Sequence, residues 1–237
     1  MSRQPPTSQP PPVQRLRLRY AKRGRARFAS QRDFARAFER ALRRVDVPMA
    51  YSSGFSPHPR ISYANACPTG CASEAEYLEI GLARQVDAGW LADALDAALP
   101  QGLAIVAVAE SDRRPLASEL EASWWSLEFP GVSSEALADA VDAFEACASA
   151  TAQRQTKNGL RTVDVKPAVV SLEAGGPGVL RVVSLAGTPL VRPDDVASAL
   201  ESVWPALCPT APEIFTRLAQ GRLVDGVVVD PFGPSAG

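Results

Sequence analysis

His58 is the one histidine in this chain of 237 residues, and its surroundings suit proton transfer or phosphate binding. It lies between Pro57 and Pro59, which restrict the backbone on both sides, and Arg60 follows within two residues. An imidazole titrates near neutral pH, and a guanidinium can bind phosphate through paired hydrogen bonds. The alternative is a loop that packs Phe55 into the core and lets His58 cap a backbone group.

The charge of the chain is concentrated near its start. Residues 15–60 hold thirteen basic and three acidic side chains, a charge of +10, although the net charge of the whole chain is −1. This pattern indicates a polyanion-binding surface, with nucleic acid as the first candidate, against the alternative of a solvated arginine-rich face. The predicted RNA contacts are Arg15, Arg17, Arg19, Lys22, Arg25, Arg27, Arg36, Arg40, His58 and Arg60, with a smaller basic group of Lys157, Arg161 and Lys166.

The first arginines are positioned by a predicted strand. Residues 15–20 alternate between basic and apolar side chains, which is typical of a half-buried strand. Its arginines are expected on the open face of a sheet, where Tyr63 or Tyr77 could stack on a base. In the alternative, this face packs on the second half of the chain, and Glu79 and Glu128 pair with the arginines.

A helix is predicted directly after the basic turn. Ser30 and Asp33 have the spacing of a capping box, which favours a helix start over a catalytic pair. Apolar side chains then recur at helical spacing until Pro48, and the arginines between them lie off this apolar stripe.

The order of predicted elements is β-α-β-β-α-β, and it occurs twice. We therefore predict an α+β fold of two tandem ferredoxin-like units with antiparallel sheets, a layout shared with the RAMP endonucleases. The predicted boundaries are a disordered Pro-rich tail at 1–14, a basic unit at 15–112, a second unit at 118–222 and a loose tail at 223–237. In the second unit, residues 161–173 are predicted as one strand, and Trp124-Trp125 places one ring inward and one outward.

Composition argues against several other classes. No apolar run approaches the ~18 residues that span a bilayer, and the first residues lack the apolar core of a secretory signal. We therefore expect a cytoplasmic protein with reduced cysteines and no membrane contact. Cys67 and Cys71 with His58 would make only three metal ligands and no second pair, so no metal and no cofactor are predicted.

Several motifs are shared with a known family. The strongest are Arg19-Tyr20-Ala21-Lys22, Gly24-Arg25 with Arg27-Phe28, Glu39-Arg40-Ala41-Leu42-Arg43-Arg44, and Gly54-Phe55-Ser56-Pro57-His58-Pro59-Arg60-Ile61-Ser62. Further matches are Glu74-Ala75-Glu76-Tyr77, Lys157-Asn158-Gly159, Val163-Asp164-Val165-Lys166-Pro167 and Thr216-Arg217. On these motifs the chain resembles the radical-SAM-associated DUF2344 family over roughly residues 15–222. It departs from the family at Gln31-Arg32-Asp33, where members often carry His-Leu-Asp.

The resemblance implies an accessory protein that works with a B12-type radical SAM protein. Such a protein would bind RNA, or present a substrate, in RNA modification or maturation, and would not itself be catalytic. Cys67 and Cys71 lack the third cysteine of a C-x3-C-x2-C cluster motif, so the chain is not expected to be the radical enzyme. Two alternatives stay open: a RAMP-like, metal-independent ribonuclease that uses His58, and a protein–protein adaptor.

Overall fold

The computed structural model describes residues 8–156 and 159–233, and it divides the chain into two compact units. Unit 1 comprises the chain up to Thr69 together with Glu74–Ser118, and unit 2 comprises Gly70–Ser73 together with the chain from Glu119 onward. The described residues form four α-helices and strands that pair mostly antiparallel, which confirms the predicted α+β class. Lys157, one of the predicted RNA contacts, lies outside the described residues.

Unit 1 follows the predicted order of elements. Its elements are β1 (Gln14–Lys22), a 3-10 turn (Gly24–Phe28), α1 (Gln31–Arg44), β2 (Ile61–Ala64), β3 (Ala72–Leu82), α2 (Ala88–Ala98) and β4 (Leu103–Glu110). In the sheet the strand order is β4-β1-β3, and β2 pairs antiparallel with β3. Strand β1 is therefore internal, and β4 pairs with it antiparallel.

The core of unit 1 joins β1 to the apolar face of α1. Leu16, Leu18 and Tyr20 alternate along β1 and are at most 1% exposed. The Tyr20 ring stacks on Phe34 of α1 with ring centroids 3.9 Å apart, and Phe38 continues the same row. Burying each of these aromatic side chains contributes about 2–3 kcal/mol, so the packing holds the opposite, polar face of α1 toward solvent.

Unit 2 contains sheet strands with two helices and a separate two-stranded hairpin. Its elements are β5 (Ala122–Glu128), α3 (Ser134–Ala146), β6 (Thr151–Thr156), β7 (Gly159–Asp164), β8 (Val169–Gly176), β9 (Val179–Leu185), α4 (Pro193–Val203), β10 (Ile214–Val224) and β11 (Val227–Val229). The strand order is β10-β5-β9-β8, and β11 pairs with β10. Ala72 and Ser73 pair in parallel with β10, and β6 pairs only with β7 among the described strands.

Three expectations from the sequence need correction. The single strand predicted at 161–173 is wrong: β7 and β8 are separate strands, divided by a 3-10 turn that contains Pro167, which cannot donate a ladder hydrogen bond. Strand β6 was missed, because its sequence TAQRQT has few apolar residues to mark a buried face. The loose tail predicted from residue 223 instead begins as strand, since β10 continues to Val224 and β11 follows.

Part of the N-terminal segment predicted to be disordered has defined contacts. The Val13 amide donates to the Leu82 carbonyl at 2.8 Å, and the Gln9 amide donates to Ser53 Oγ at 2.9 Å. These two bonds place residues 9–13 along unit 1 despite their proline content. Among the described residues, no helix is both long enough and apolar enough to cross a membrane.

Candidate nucleic-acid interface

The arginines of β1 are used inside unit 1. The Arg17 side chain is only 4% exposed; its Nη2 lies 2.7 Å from Asp112 Oδ1 and its Nε lies 3.7 Å from Glu79 Oε2. Arg15 pairs with the same Glu79 at 2.8 Å, and Arg19 Nε donates to the Glu74 carbonyl at 2.9 Å. The expectation that Arg17 projects from an open sheet face is wrong, and the alternative pairing with Glu79 describes both Arg15 and Arg17.

Carboxylates drawn from distant parts of unit 1 account for this burial. A charged group leaves water only where partners replace its hydration, and here Asp112 supplies one partner. A hydrogen bond from the Arg114 side chain, followed by the nearby charge of Arg17, lowers the pKa of Asp112. Lys22 at the end of β1 is also buried, at 4% exposure, so it is a poor candidate for RNA contact.

Neither tyrosine predicted for base stacking presents a free ring. Tyr77 is 1% exposed, and Tyr63 is half-buried with its ring packed edge-on against Phe34, centroids 6.1 Å apart. Burial also raises the pKa of Tyr63, and the charge of Glu39 adds to the effect. The exposed aromatic rings of unit 1 lie elsewhere: Phe28, Tyr51, Phe55 and Trp90.

Helix α1 carries a continuous row of arginines. We call Arg32, Arg36, Arg40 and Arg44 the α1 stripe, because residues four apart lie one above another on a helix face. All four are exposed, whereas Phe34, Phe38 and Ala41 on the opposite face are buried. The stripe thus follows from the core packing of α1, which leaves only one face for charge.

Little within the chain neutralises this stripe. In the described ranges 8–156 and 159–233, Arg32, Arg36 and Arg40 form no ion pair with a carboxylate. Glu39 is 3.7 Å from Arg43, and Arg44 Nη1 donates to the Ala98 carbonyl at 3.3 Å. Like charges four residues apart destabilise a helix by a few tenths of a kcal/mol per pair, so the fold gains nothing from this arrangement.

Asp33, an acidic residue whose carboxylate interacts with Arg36 and Arg32, forms the helix cap. The Asp33 amide donates to Ser30 Oγ at 3.2 Å, while Asp33 Oδ2 accepts from the Ser30 amide at 3.2 Å and from the Ser30 hydroxyl at 2.6 Å. The Ser30 hydrogen bonds are the main reason that the pKa of Asp33 is lowered, with the charges of Arg36 and Arg32 adding to them. The predicted capping box is therefore confirmed.

The 3-10 turn before α1 adds two more arginines and a ring. Arg27 Cζ lies 4.7 Å from the centroid of the Phe28 ring, and Phe28 is 59% exposed. Arg25 is exposed and borders an open depression with Gly24 and Gln101. Gly24 has φ +54°, a backbone conformation that favours glycine, so the turn that presents Arg25 depends on it.

We define the basic surface as the arginines of the 3-10 turn and of the first three turns of α1. They are Arg25, Arg27, Arg32, Arg36 and Arg40. Four of these are among the RNA contacts that the sequence predicts, and Arg32 is added by the structure. Its spacing of four from Arg36 was the available signal. All five lie within residues 25–40, so two short elements, the 3-10 turn and α1, position all of them.

His58 lies in a loop closed by backbone hydrogen bonds. The Ser52 amide donates to the His58 carbonyl at 2.8 Å, and the His58 amide donates to Ser52 Oγ at 3.0 Å. The imidazole is exposed and makes no hydrogen bond to any described residue. Phe55 is 66% exposed, so the alternative in which it packs into the core is wrong. Arg60 is half-buried, and its Nε donates to the Tyr51 carbonyl at 3.0 Å.

This loop lies beside the last turns of α1. Tyr51 and Pro59 line a depression of about 160 Å³ together with Glu39, Leu42 and Arg43 of the helix. Tyr51 is 43% exposed, so an aromatic ring borders the C-terminal end of the basic helix. The loop and α1 therefore form one face of unit 1, although the described contacts do not bring His58 to the arginines.

Of the basic residues predicted as RNA contacts in the second half of the chain, Lys166 is held by contacts within unit 2 and Arg161 is exposed. Lys166 Nζ donates to the Phe144 carbonyl at 2.7 Å, pairs with Glu145 at 3.1 Å and lies 4.4 Å from the centroid of the Phe144 ring. It thus satisfies carbonyls at the C-terminal end of α3, a favourable place for a cation. Arg161 on β7 is exposed.

The cysteines give no support to a metal site in the described residues. No group of three or more His, Cys, Asp or Glu side chains is placed to hold an ion in residues 8–156 and 159–233. Cys67 and Cys71 are buried, and the Cys67 amide donates to Glu76 Oε2 at 3.0 Å.

Comparison with known families matches residues 15–193 to DUF2344, described as an uncharacterized protein conserved in bacteria. The chain belongs to the DUF2344 family. The matched range contains the basic turn, the α1 stripe and the His58 loop, and it ends at the first residue of α4. No curated protein matches the chain.

Proposed function

We propose that this member of the DUF2344 family is a non-catalytic RNA-binding module whose contact surface is the basic surface of unit 1. The observation that carries the proposal is the row Arg32, Arg36 and Arg40, exposed and without a carboxylate partner in the described chain. Such a row costs the helix stability, so a bound polyanion is the simplest reason for its presence.

The geometry of the row suits a nucleic-acid backbone. Four residues of an α-helix advance by roughly 6 Å, so successive guanidinium groups can each reach a different phosphate of one strand. A guanidinium can bind phosphate through two parallel hydrogen bonds, which orients as well as attracts the backbone. The exposed rings of Phe28 and Tyr51 lie at the two ends of this track and could stack on unpaired bases.

The same proposal includes the fold of each unit. We infer that both units are ferredoxin-like, in tandem, with a RAMP-like layout. The order β4-β1-β3 with β2 beside β3, and the order β10-β5-β9-β8, support this, because each places the first strand of its unit internally. On this view the β6–β7 hairpin is an insertion between the first helix and the second strand of unit 2.

We also propose that the module works with a B12-type radical SAM protein and presents RNA to it. The support is the resemblance in the motifs of residues 19–62, which run from the end of β1 through the turn, α1 and the following loop to the start of β2. This chain has no cysteine cluster motif of its own, so the radical reaction would take place on the partner protein. The exposed basic helix would hold the RNA during that reaction.

The direct test measures binding of a labelled single-stranded RNA to the full chain over a range of salt concentrations. Neutralising phosphates releases counterions, so log affinity should fall linearly with log salt. The double variant Arg36→Gln/Arg40→Gln should make the slope shallower by roughly 1.4, about 0.7 for each lost contact. The matched control is Arg84→Gln/Arg222→Gln, which removes the same charge from exposed positions outside the basic surface.

Three results would contradict the proposal. The first is no binding of wild type even at low salt, which would leave the adaptor alternative. The second is an equal loss of slope in both double variants, which would mean that charge anywhere on the protein suffices. The third is RNA cleavage in EDTA that His58→Ala abolishes, which would establish the ribonuclease alternative instead.

A further inference from the structure

The sheet of unit 2 carries an exposed tryptophan on an internal strand. Adjacent residues of β5 point to opposite faces, and Trp125 is 5% exposed whereas Trp124 is 41% exposed. Trp125 Nε1 donates to Ser184 Oγ at 3.2 Å inside the unit. Trp124 lies directly opposite Val183 of β9, so its ring occupies the middle of the other face, between β10 and β9.

An arginine of the neighbouring strand lies over this ring. Arg181 of β9 has its Cζ 5.9 Å from the centroid of the Trp124 ring, within the range of a cation–π contact. In register, Arg181 lies directly opposite Glu173 of β8, the natural partner for an ion pair. The described contacts show no such ion pair, and the guanidinium is directed at the indole instead.

A glycine leaves room for the arginine side chain. A Cβ atom at Gly175 of β8 would lie 3.2 Å from Arg181 Cγ and 3.2 Å from Arg181 Nε, and 3.1 Å from Val179 Cγ1. These contacts are tight, so a side chain at residue 175 would press on the stem of Arg181. Gly175, the guanidinium of Arg181 and the ring of Trp124 therefore lie in sequence across the same sheet face.

We propose that Trp124 and Arg181 form a stacking site for an unpaired base of single-stranded RNA. The indole and the guanidinium are both flat and both stack on nucleobases, and the 41% exposure of Trp124 leaves its ring accessible to one. The exposed Glu173 beside Arg181 disfavours a phosphate at this place, so a base fits better than a backbone group. The choice of RNA as ligand rests on the proposed function, but the site lies in unit 2 and makes no use of the basic surface.

The experiment uses the full chain, a ten-nucleotide oligo(A) RNA and free AMP as probes. Trp124→Ala should weaken oligo(A) binding roughly 5- to 150-fold, the range for loss of one base–aromatic stack, and Trp124→Phe should keep most of the affinity. The salt slope should stay unchanged in both variants, because stacking releases no counterions. The matched control is Trp90→Ala, which removes an indole of similar exposure from α2.

Two further variants test the guanidinium. Arg181→Lys keeps the positive charge but removes the planar guanidinium group, and it should weaken oligo(A) binding several-fold. An affinity equal to that of wild type would show that only the charge matters. Gly175→Ala should weaken binding through Arg181 while the unfolding midpoint stays nearly unchanged.

The outcomes separate this inference from the proposed function. If wild type binds oligo(A) and Trp124→Ala binds within two-fold of it, the stacking site is wrong and the RNA-binding proposal stands. If wild type binds no RNA, the proposed function fails, and the binding of AMP then tests the stacking site by itself. Quenching of tryptophan fluorescence by AMP that is lost in Trp124→Ala supports the site, and absent or equal quenching overturns it.

Discussion

Arg17 Nη2 lies 2.7 Å from Asp112 Oδ1, and the Arg17 side chain is 4% exposed. Ninety-five residues separate the two along the chain, yet they form one ion-pair network with Glu79 and Arg15. This network separates the basic residues near the start of the chain into two classes. Those of β1 form contacts inside unit 1, and the five arginines of the basic surface remain available to a ligand.

The first prediction concerns Arg17. Arg17→Met should lower the free energy of unfolding by about 1.5–3 kcal/mol, because the buried guanidinium gives up its contacts with Asp112 and the Arg114 carbonyl. The loss is limited because Asp112 keeps its pair with Arg114, and Glu79 keeps its pair with Arg15. Urea denaturation would measure the loss. Arg15→Met is the control, since that side chain is 44% exposed and its pair should contribute less than about 1 kcal/mol. A variant at residue 17 that keeps full stability but lowers the salt slope of RNA binding would contradict this assignment.

The second prediction concerns the stability of the α1 stripe. Arg36→Gln/Arg40→Gln should leave the unfolding midpoint unchanged or raise it slightly, because it relieves like-charge repulsion between residues four apart. Phe38→Ala, on the buried face of the same helix, should instead cost about 3–5 kcal/mol. Thermal unfolding of the three proteins would compare them. A clear loss of stability in Arg36→Gln/Arg40→Gln would mean that these two arginines stabilise the folded protein.

The third prediction concerns the start of α1. Ser30→Ala should cost about 1 kcal/mol, since the hydroxyl satisfies the Asp33 amide at the helix end. Urea unfolding at neutral pH would measure it. A change below a few tenths of a kcal/mol would indicate that the helix end does not depend on this cap.

The fourth prediction follows from the pKa of Asp33, which is lowered from its ordinary value of 3.8. Its contribution to stability should be present above about pH 4 and should be lost as the pH falls through the lower folded pKa. Asp33→Asn should therefore be less stable than wild type at neutral pH, and the difference should disappear in acid. Unfolding measured from pH 7 to pH 2 tests this; a difference that grows on acidification would contradict it.

The fifth prediction concerns Lys166. Lys166→Met should lower stability by about 1 kcal/mol, because the ammonium group satisfies the Phe144 carbonyl at the end of α3 and lies over the Phe144 ring. RNA affinity should change less than two-fold. The exposed Arg161 offers a comparison, and Arg161→Met should leave stability unchanged. A strong loss of RNA affinity at residue 166 with no loss of stability would restore it as an RNA contact.

Local patterns predicted the elements that depend on neighbours in sequence. The capping box of Ser30 and Asp33 and the apolar face of α1 both follow from residues within a few positions of each other. The alternation of Trp124 and Trp125 likewise predicted one ring inward and one outward. Strand β6 could not be found this way, because Ala152 is its one buried apolar residue and its partner Val163 lies on another strand.

The amino-acid sequence by itself determined that the chain is α+β, that α1 has one apolar and one cationic face, and that positive charge concentrates in residues 15–60. The tertiary structure decided which of those cations remain exposed. Arg17 and Arg36 are the same residue type in the same basic stretch, but Glu79 and Asp112 pair with Arg17 and not with Arg36. Whether a guanidinium is buried depends on carboxylates brought near it from distant parts of the chain, and local spacing does not report them.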